Sequence, residues 1–299
     1  MATKLIDLAL PYQKRFITAQ NRRKIWLSTR QAGKSWSLSF IAAQKALSRH
    51  NGLSLCISTG ARAANELIKK CEKMAYAVQT LSGGRIGYTA SADCIRFTNG
   101  SRIVSLPSGN PAGLRGYTAQ CVLIDEAAYI DNPYDVYAAI VPTLTRDKEA
   151  ELIVASTPAG KHGLFWDLWN QEGWYKQETT IQDAVKDGLD VDVNALRAAV
   201  IDPEVWDMEY MCRFADTFSE FIDLDSLQWY EHLPETAVWY LGMDVGSTSD
   251  RTAIASIADV NGVLHLDDIT VLHKASYERQ LQVMKDLNKK YRYAAGYVD

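Results

Sequence analysis

The sequence predicts an α/β fold. A mainly parallel sheet occupies the first part of the chain, and a smaller sheet domain follows. Three observations carry this reading. Short apolar runs (Ile25–Leu27, Leu53–Ile57, Cys121–Ile124 and Leu152–Ala155) alternate with helix-length amphipathic segments, as buried parallel strands joined by crossover helices do. Three of these runs end in hydroxyl, basic or acidic residues, at the strand tips where open α/β sheets place their ligands. From Val238 onward the alternation gives way to strands separated by an Asn261-Gly262 turn, then a helix and a last short strand.

The elements follow in order. Within "LALPYQKRFI", Pro11 can open a short helix with Tyr12 and Phe16 four apart on one face. Gln13 lies just upstream of the first strand. Its amide can both donate and accept, which suits recognition of a base edge, and equally it can be a plain surface glutamine. The strand "KIWL" then runs into "STRQAGKS", and a helical pattern, "KSWSLSFIAAQKAL", begins there. Strand, small-residue loop and Gly33-Lys34-Ser35 opening a helix is the layout of a P-loop. Arg30, Gln31, Ala32 and Gly33 form the loop whose amides face an anion. Lys34 reaches the outer phosphates, and the Ser35 hydroxyl can hold Mg²⁺. Ser28 stands where the common pattern has its first glycine, and Arg30 adds a cation inside the loop.

Next, "LSLCIST" reads as a second buried strand, followed by a helix from about Arg62 to Val78. "RIGYTA", "CIRF" and "RIVSLP" read as short antiparallel strands, with Asn99-Gly100 as a tight turn. "AQCVLIDEAAYI" delivers Asp125 and Glu126 at the end of an apolar strand. Beside a phosphate loop, the first acid can help hold Mg²⁺ and the second can orient or deprotonate the attacking water. "ELIVAST" ends in Ser156-Thr157, hydroxyls placed to sense the outer phosphate. The run from Asp216 to Val238 is irregular and reads as a linker. This gives domains at 1–215 and 239–299 with a connector over 216–238. In the second domain, "SYERQLQVMKDLNKKY" is amphipathic with Tyr277, Leu281, Met284 and Leu287 on one stripe.

Composition narrows the function classes. The 299 residues, 47% hydrophobic and 23% charged, are those of a globular chain able to build two cores. A net charge of −4 argues against a generally basic nucleic-acid coat but leaves room for a local basic track. Five scattered cysteines without a CxxC pair point to reduced thiols, no zinc site and a cytoplasmic location. No signal peptide or membrane-length apolar run is visible, so no membrane role is expected.

The order "LPYQ", "STRQAGKS", "NPAGLRGYTAQCVLIDEAAYI" and "ASTPAG", with "WDMEYMCRF" further on, resembles the large terminase subunit of tailed bacteriophages and prophages. The resemblance implies an ATP-driven motor that threads double-stranded DNA into a procapsid in the bacterial host cytoplasm. It would work as a homo-oligomeric ring with the portal protein and the small terminase subunit. Gln13 then corresponds to the adenine contact and Arg30 to the arginine of a deviant phosphate loop. Lys34 and Ser35 correspond to the phosphate and Mg²⁺ ligands, Asp125 and Glu126 to the acidic pair, and Ser156 and Thr157 to the coupling motif. Arg115 in "GLRGY" is a looser candidate for charge stabilisation at a neighbouring site or for contacting DNA; a plain surface arginine is the alternative.

Three strands, a helix and a strand are also how an RNase H-like fold begins, and terminases resemble this in their nuclease domain. On that reading Asp244 and Asp299 are metal acids for Mg²⁺ or Mn²⁺, with Asp250 a weaker candidate, and the chain carries an incomplete nuclease. "MDVGSTSD" also resembles the first phosphate loop of actin-like and sugar-kinase ATPases, a reading that needs a second such loop. Two other functions stay open: a helicase-like DNA translocase, and a non-catalytic prophage remnant acting as a scaffold.

Overall fold

The computed structural model describes residues 5–145, 147–214, 230, 233–234, 236–246, 251–273 and 275–298. Its contacts divide the chain into two compact units, Met1–Ile222 and Asp223–Asp299. Most of the expected linker lies outside the described residues, as do Asp250 and Asp299.

The first unit runs α1 (Pro11–Thr18), β1 (Arg23–Ser28), α2 (Lys34–Leu47), β2 (Leu53–Ser58), α3 (Ala61–Leu81), β3 (Tyr88–Ala90), β4 (Cys94–Phe97) and β5 (Arg102–Pro107). It continues with α4 (Pro111–Leu114), β6 (Cys121–Asp125), α5 (Pro133–Ile140), β7 (Glu151–Ser156), α6 (Gly163–Asn170), β8 (Tyr175–Thr179), α7 (Ile181–Lys186), α8 (Val193–Ala199) and α9 (Pro203–Glu209). The eight strands form one sheet in the order β3-β4-β5-β2-β6-β7-β1-β8. All neighbours from β5 to β8 in that order are parallel, and only the β3–β4 and β4–β5 pairs are antiparallel.

This order follows from which faces are apolar. β2, β6 and β7 are buried along their whole length, as strands covered on both faces must be. Alternate residues feed two cores. Trp26, Cys56, Leu123 and Ile153 pack with Tyr12 and Phe16 of α1, Leu38 and Ile41 of α2, and Leu67 and Cys71 of α3. Ile25, Leu55, Val122 and Val154 pack on the other face with Val136 and Ile140 of α5 and Leu164 and Phe165 of α6. β3 is shorter than expected, because Arg85–Gly87 stay outside the ladder and the Gly87 carbonyl instead accepts a backbone bond from Thr98. The polar strand β8 escapes an apolar-run reading: Lys176 and Glu178 are exposed while Gln177 and Thr179 face inward.

The second unit contains β9 (Val238–Asp244), β10 (Arg251–Val260), β11 (Val263–His273), α10 (Tyr277–Tyr291) and β12 (Ala295–Val298). β9, β10 and β11 are antiparallel, and β12 runs parallel to β9 in the order β11-β10-β9-β12. Asn261 and Gly262, at φ 55° and 82°, make the expected hairpin turn. The helix stripe differs from the expected one. Val283, Met284 and Leu287 pack on Leu241, Met243 and Ile254, whereas Tyr277 and Leu281 are exposed. The register is instead set from inside by Gln280, whose Nε2 donates to the Gly246 and Ala275 carbonyls.

Candidate nucleotide site

The Gly33–Ser35 loop sits at the C-terminal tip of β1, between the tips of β7 and β8. β6 lies beyond β7, so the strand ending in Ser156 separates the phosphate loop's strand from the acidic strand.

The loop turns sharply. Gln31 and Gly33 take positive φ angles of 59° and 79°. At Gly33 a Cβ would meet Gln13 Nε2 at 2.5 Å, so both conformation and space require glycine. Two residues of α1 tie the loop down: Tyr12 Oη and Gln13 Nε2 each donate to the Ala32 carbonyl at 2.9 Å. The Gln13 Oε1 accepts from Leu10 N, so its amide is fixed in orientation. Gln13 is buried and here braces the loop.

Lys34 is 5% exposed, its ammonium donating to the Ser28 and Thr29 carbonyls at 3.3 and 3.2 Å. Glu126 Oε1 lies 3.8 Å from the same nitrogen. Glu126 has a positive φ of 52°, an uncommon conformation for a residue with a side chain, and it turns the chain from β6 into a 3-10 turn over Ala127–Tyr129. The carboxylate is thereby aimed out of the strand's line and stays part-exposed. Asp125, one residue earlier, is buried. Desolvation, reinforced by neighbouring Glu126, pushes its carboxyl up to about 6, against the opposing hydrogen bond from Ser35 and the charge of Lys34. Its Oδ1 has no hydrogen-bond partner among the described residues. A buried acid with one oxygen on Ser35 and the other unpartnered fits a divalent cation shared by those two residues, so Mg²⁺ chemistry is compatible with the site.

The Ser156 hydroxyl accepts from Ala128 N at 3.2 Å and donates toward Glu126 Oε2 at 3.5 Å. Thr157 Oγ1 donates to Tyr129 Oη at 3.2 Å, and that phenol donates to the Pro158 carbonyl at 2.9 Å.

Arg30 is largely exposed, with its guanidinium 3.5 Å from Glu209 Oε1. The Glu209 carbonyl also accepts from Arg30 N at 2.9 Å and from Thr29 Oγ1 at 3.2 Å, while Thr29 N donates to the Thr179 carbonyl. Glu209, Tyr12 and Tyr129 are the residues that motif reading passes over. All three lie inside the quoted runs "WDMEYMCRF", "LPYQ" and "DEAAYI", but only tertiary contact shows their roles. Arg115 caps the short α4, and its exposed side chain makes no ion pair among the described residues. In the second unit Asp244 ends β9, and Met243 pairs with Val298 of β12. No group of three His, Cys, Asp or Glu that could hold a metal occurs among the described residues. No helix among them is long and apolar enough to cross a membrane.

Comparison with solved structures places this fold among phage large terminases. The HK97 bacteriophage large terminase superposes with a TM-score of 0.58 at 15% identity, over 100% of this chain and 73% of that one. The large terminase of a thermophilic bacteriophage gives 0.57 at 14% identity, over 97% of this chain and 77% of that one. The ATPase domain of the Thermus phage P74-26 large terminase gives 0.55 at 18% identity, over 68% of this chain and 93% of that domain. The thermophilic bacteriophage enzyme has also been solved in complex with ADP and with ATP-gamma-S. The family model for the N-terminal part of the T4likevirus-type terminase large subunit matches residues 25–229, which include the phosphate loop, Asp125 and Glu126, the strand ending in Ser156, and Glu209. The chain belongs to that family of terminase large subunits.

Proposed function

We propose that the first unit is the ATPase motor of a viral DNA-packaging machine, with hydrolysis at the Gly33–Ser35 loop coupled to movement of double-stranded DNA. The observation that carries the reading is the convergence of three strand tips: Lys34 within 3.8 Å of Glu126, and Glu126 within 3.5 Å of Ser156. A phosphate-binding cation, a carboxylate and a hydroxyl on a third strand are the parts that phosphoanhydride hydrolysis needs.

Lys34 is parked on two backbone carbonyls, weak partners that an incoming phosphate displaces. Arg30 supplies a second cation from the same loop. Glu126, part-exposed and turned outward, accepts the proton of the attacking water or holds that water in line. Ser156, bonded to the turn that carries Glu126, moves with it, and Thr157 passes that movement to Tyr129 and Pro158. Ser35 and Asp125 would hold Mg²⁺, which when bound neutralises charge on the phosphates. Gln13 buttresses the loop and is the candidate for reading adenine. Procapsid, portal, small subunit and a ring of copies are the partners proposed for the assembled motor, with Arg115 a candidate to reach a neighbour. For the second unit we propose an RNase H-like nuclease sheet with Asp244 as a metal acid.

The test is ATP turnover by the purified chain. Lys34→Ala abolishes nucleotide binding, and Glu126→Gln keeps binding while turnover falls on the order of 10²-fold or more. Unchanged turnover in both variants would sink the assignment of hydrolysis to this loop, and no turnover in the parent chain would leave a non-catalytic scaffold.

A further inference from the structure

At the N-terminal ends of β1 and β7, away from the phosphate loop, lies a cavity of about 530 Å³, bounded by Asn21, Arg22 and Arg23 at the start of β1, Tyr137 of α5, and Thr145 and Lys148 leading into β7. Arg23 opens β1 and Ser28 closes it, so at about 3.3 Å per residue roughly 16 Å of strand separates this cavity from the phosphate loop.

Its charge is the reverse of the chain's. The whole chain carries −4, yet three cations, Arg22, Arg23 and Lys148, meet around this one concavity. Asp147 also lines it, but its carboxylate is taken by an ion pair with Arg49. The ion pairs among the described residues give Arg22, Arg23 and Lys148 no carboxylate partner. Arg22 donates one guanidinium nitrogen to the Lys148 carbonyl, which fastens the two cationic rims to each other and leaves the rest of the fork free. Three like charges held together repel until an anion enters, and guanidinium forks match tetrahedral oxygen sets. Asn21 and Tyr137 add neutral donors, and the volume falls in the range of about 300–1,000 Å³ usual for small-ligand sites.

We propose that this cavity is a second phosphate-binding site, distinct from the Gly33–Ser35 loop. It would accept either the phosphodiester backbone of a nucleic acid or a free polyphosphate. The inference does not depend on the ATPase reading.

The experiment compares the full chain with the Arg23→Glu/Lys148→Glu variant, and with Lys176→Glu/Lys186→Glu, which reverses the same charge elsewhere. A fluorescent short duplex DNA is titrated at two salt concentrations, and pyrophosphate is titrated calorimetrically into the same variants carrying Lys34→Ala to silence the loop. If backbone is the ligand, duplex affinity falls about tenfold or more and the salt slope drops by about 2 in Arg23→Glu/Lys148→Glu alone. If free polyphosphate is the ligand, pyrophosphate binding is lost in that variant alone. Unchanged binding of both probes, or equal losses in the control variant, overturns the proposal. Each variant keeps the far-UV circular dichroism spectrum and melting temperature of its parent in either outcome, which reports folding. Lys148→Glu alone, on an exposed loop, serves if the double variant does not fold.

Discussion

Asp125 meets two opposed demands. It would have to be ionised to hold the proposed Mg²⁺, yet it is buried with one oxygen unpartnered. Its carboxyl titrates at about 6 in the folded chain against an ordinary 3.8. With metal chelated, the folded state therefore binds the extra proton between those values. The associated stability is present in full below about pH 4 and is lost as pH rises through about 6, an effect of about 3 kcal/mol. Asp125→Asn is neutral at every pH. Urea unfolding in chelator should find it matching the parent near pH 4 and more stable by about 2–3 kcal/mol at pH 8. The reverse order would mean that the carboxylate is satisfied without metal. Gly33 and Glu126 illustrate a second point at this scale. Both take positive φ, the glycine because a side chain would strike Gln13, the glutamate because the turn it opens redirects its own carboxylate.

At the scale of elements, the phosphate loop is held from two sides by segments distant in sequence: α1 grips Ala32, and the end of α9 grips Thr29 and Arg30. Local order explains which parts are legible in the sequence. The strands β1, β2, β6 and β7, the loop, the acidic pair and the Asn261-Gly262 hairpin are written in apolar runs and turn residues a few positions long. The place of β8 beside β1 and the Glu209 brace depend on contacts between residues about 150 to 180 positions apart, such as Trp26 with Thr179 and Thr29 with Glu209, and no local pattern encodes them. The stripe of α10 departs from expectation for a related reason. Apolar spacing also marks Tyr277 and Leu281, but the narrow sheet beneath reaches only Val283, Met284 and Leu287. The α9 brace has a consequence for nucleotide affinity. The Arg30–Glu209 pair is exposed on the arginine side, so removing it should alter stability by less than about 1 kcal/mol. Glu209→Gln deletes a negative charge beside an anion site while leaving the carbonyl brace intact. ATP affinity should rise several-fold, about 1 kcal/mol, with an unchanged melting temperature. Weaker ATP binding would instead mean that the carboxylate holds Arg30 in its working position.

On the scale of the whole molecule, the two units divide chemistry in different ways. The first concentrates its polar side chains at strand tips and buries the strands between two apolar cores. The second has one small core, Leu241, Met243 and Ile254 under α10, while Tyr240, Ile269, Val271 and Tyr297 remain exposed. Asp244 stands at the end of β9, beside the strand whose Val298 pairs with Met243. Asp299, the second acid that the terminase resemblance implies, lies outside the described residues. Two-metal phosphodiester cleavage needs several carboxylates around two ions about 3.5–4 Å apart, each offsetting the repulsion between them. Among the described residues Asp244, on an exposed strand end, belongs to no group of three metal-ligating side chains and so meets only part of that need. The expected outcome is that this chain takes up Mn²⁺ only at high metal concentration, with Asp244→Asn lowering that uptake, and that supercoiled plasmid stays intact under either Mg²⁺ or Mn²⁺. Gel assays of plasmid nicking check this directly. Metal-dependent nicking that disappears in Asp244→Asn would show that the acids near β9 suffice, and would make the second unit an active nuclease as it stands.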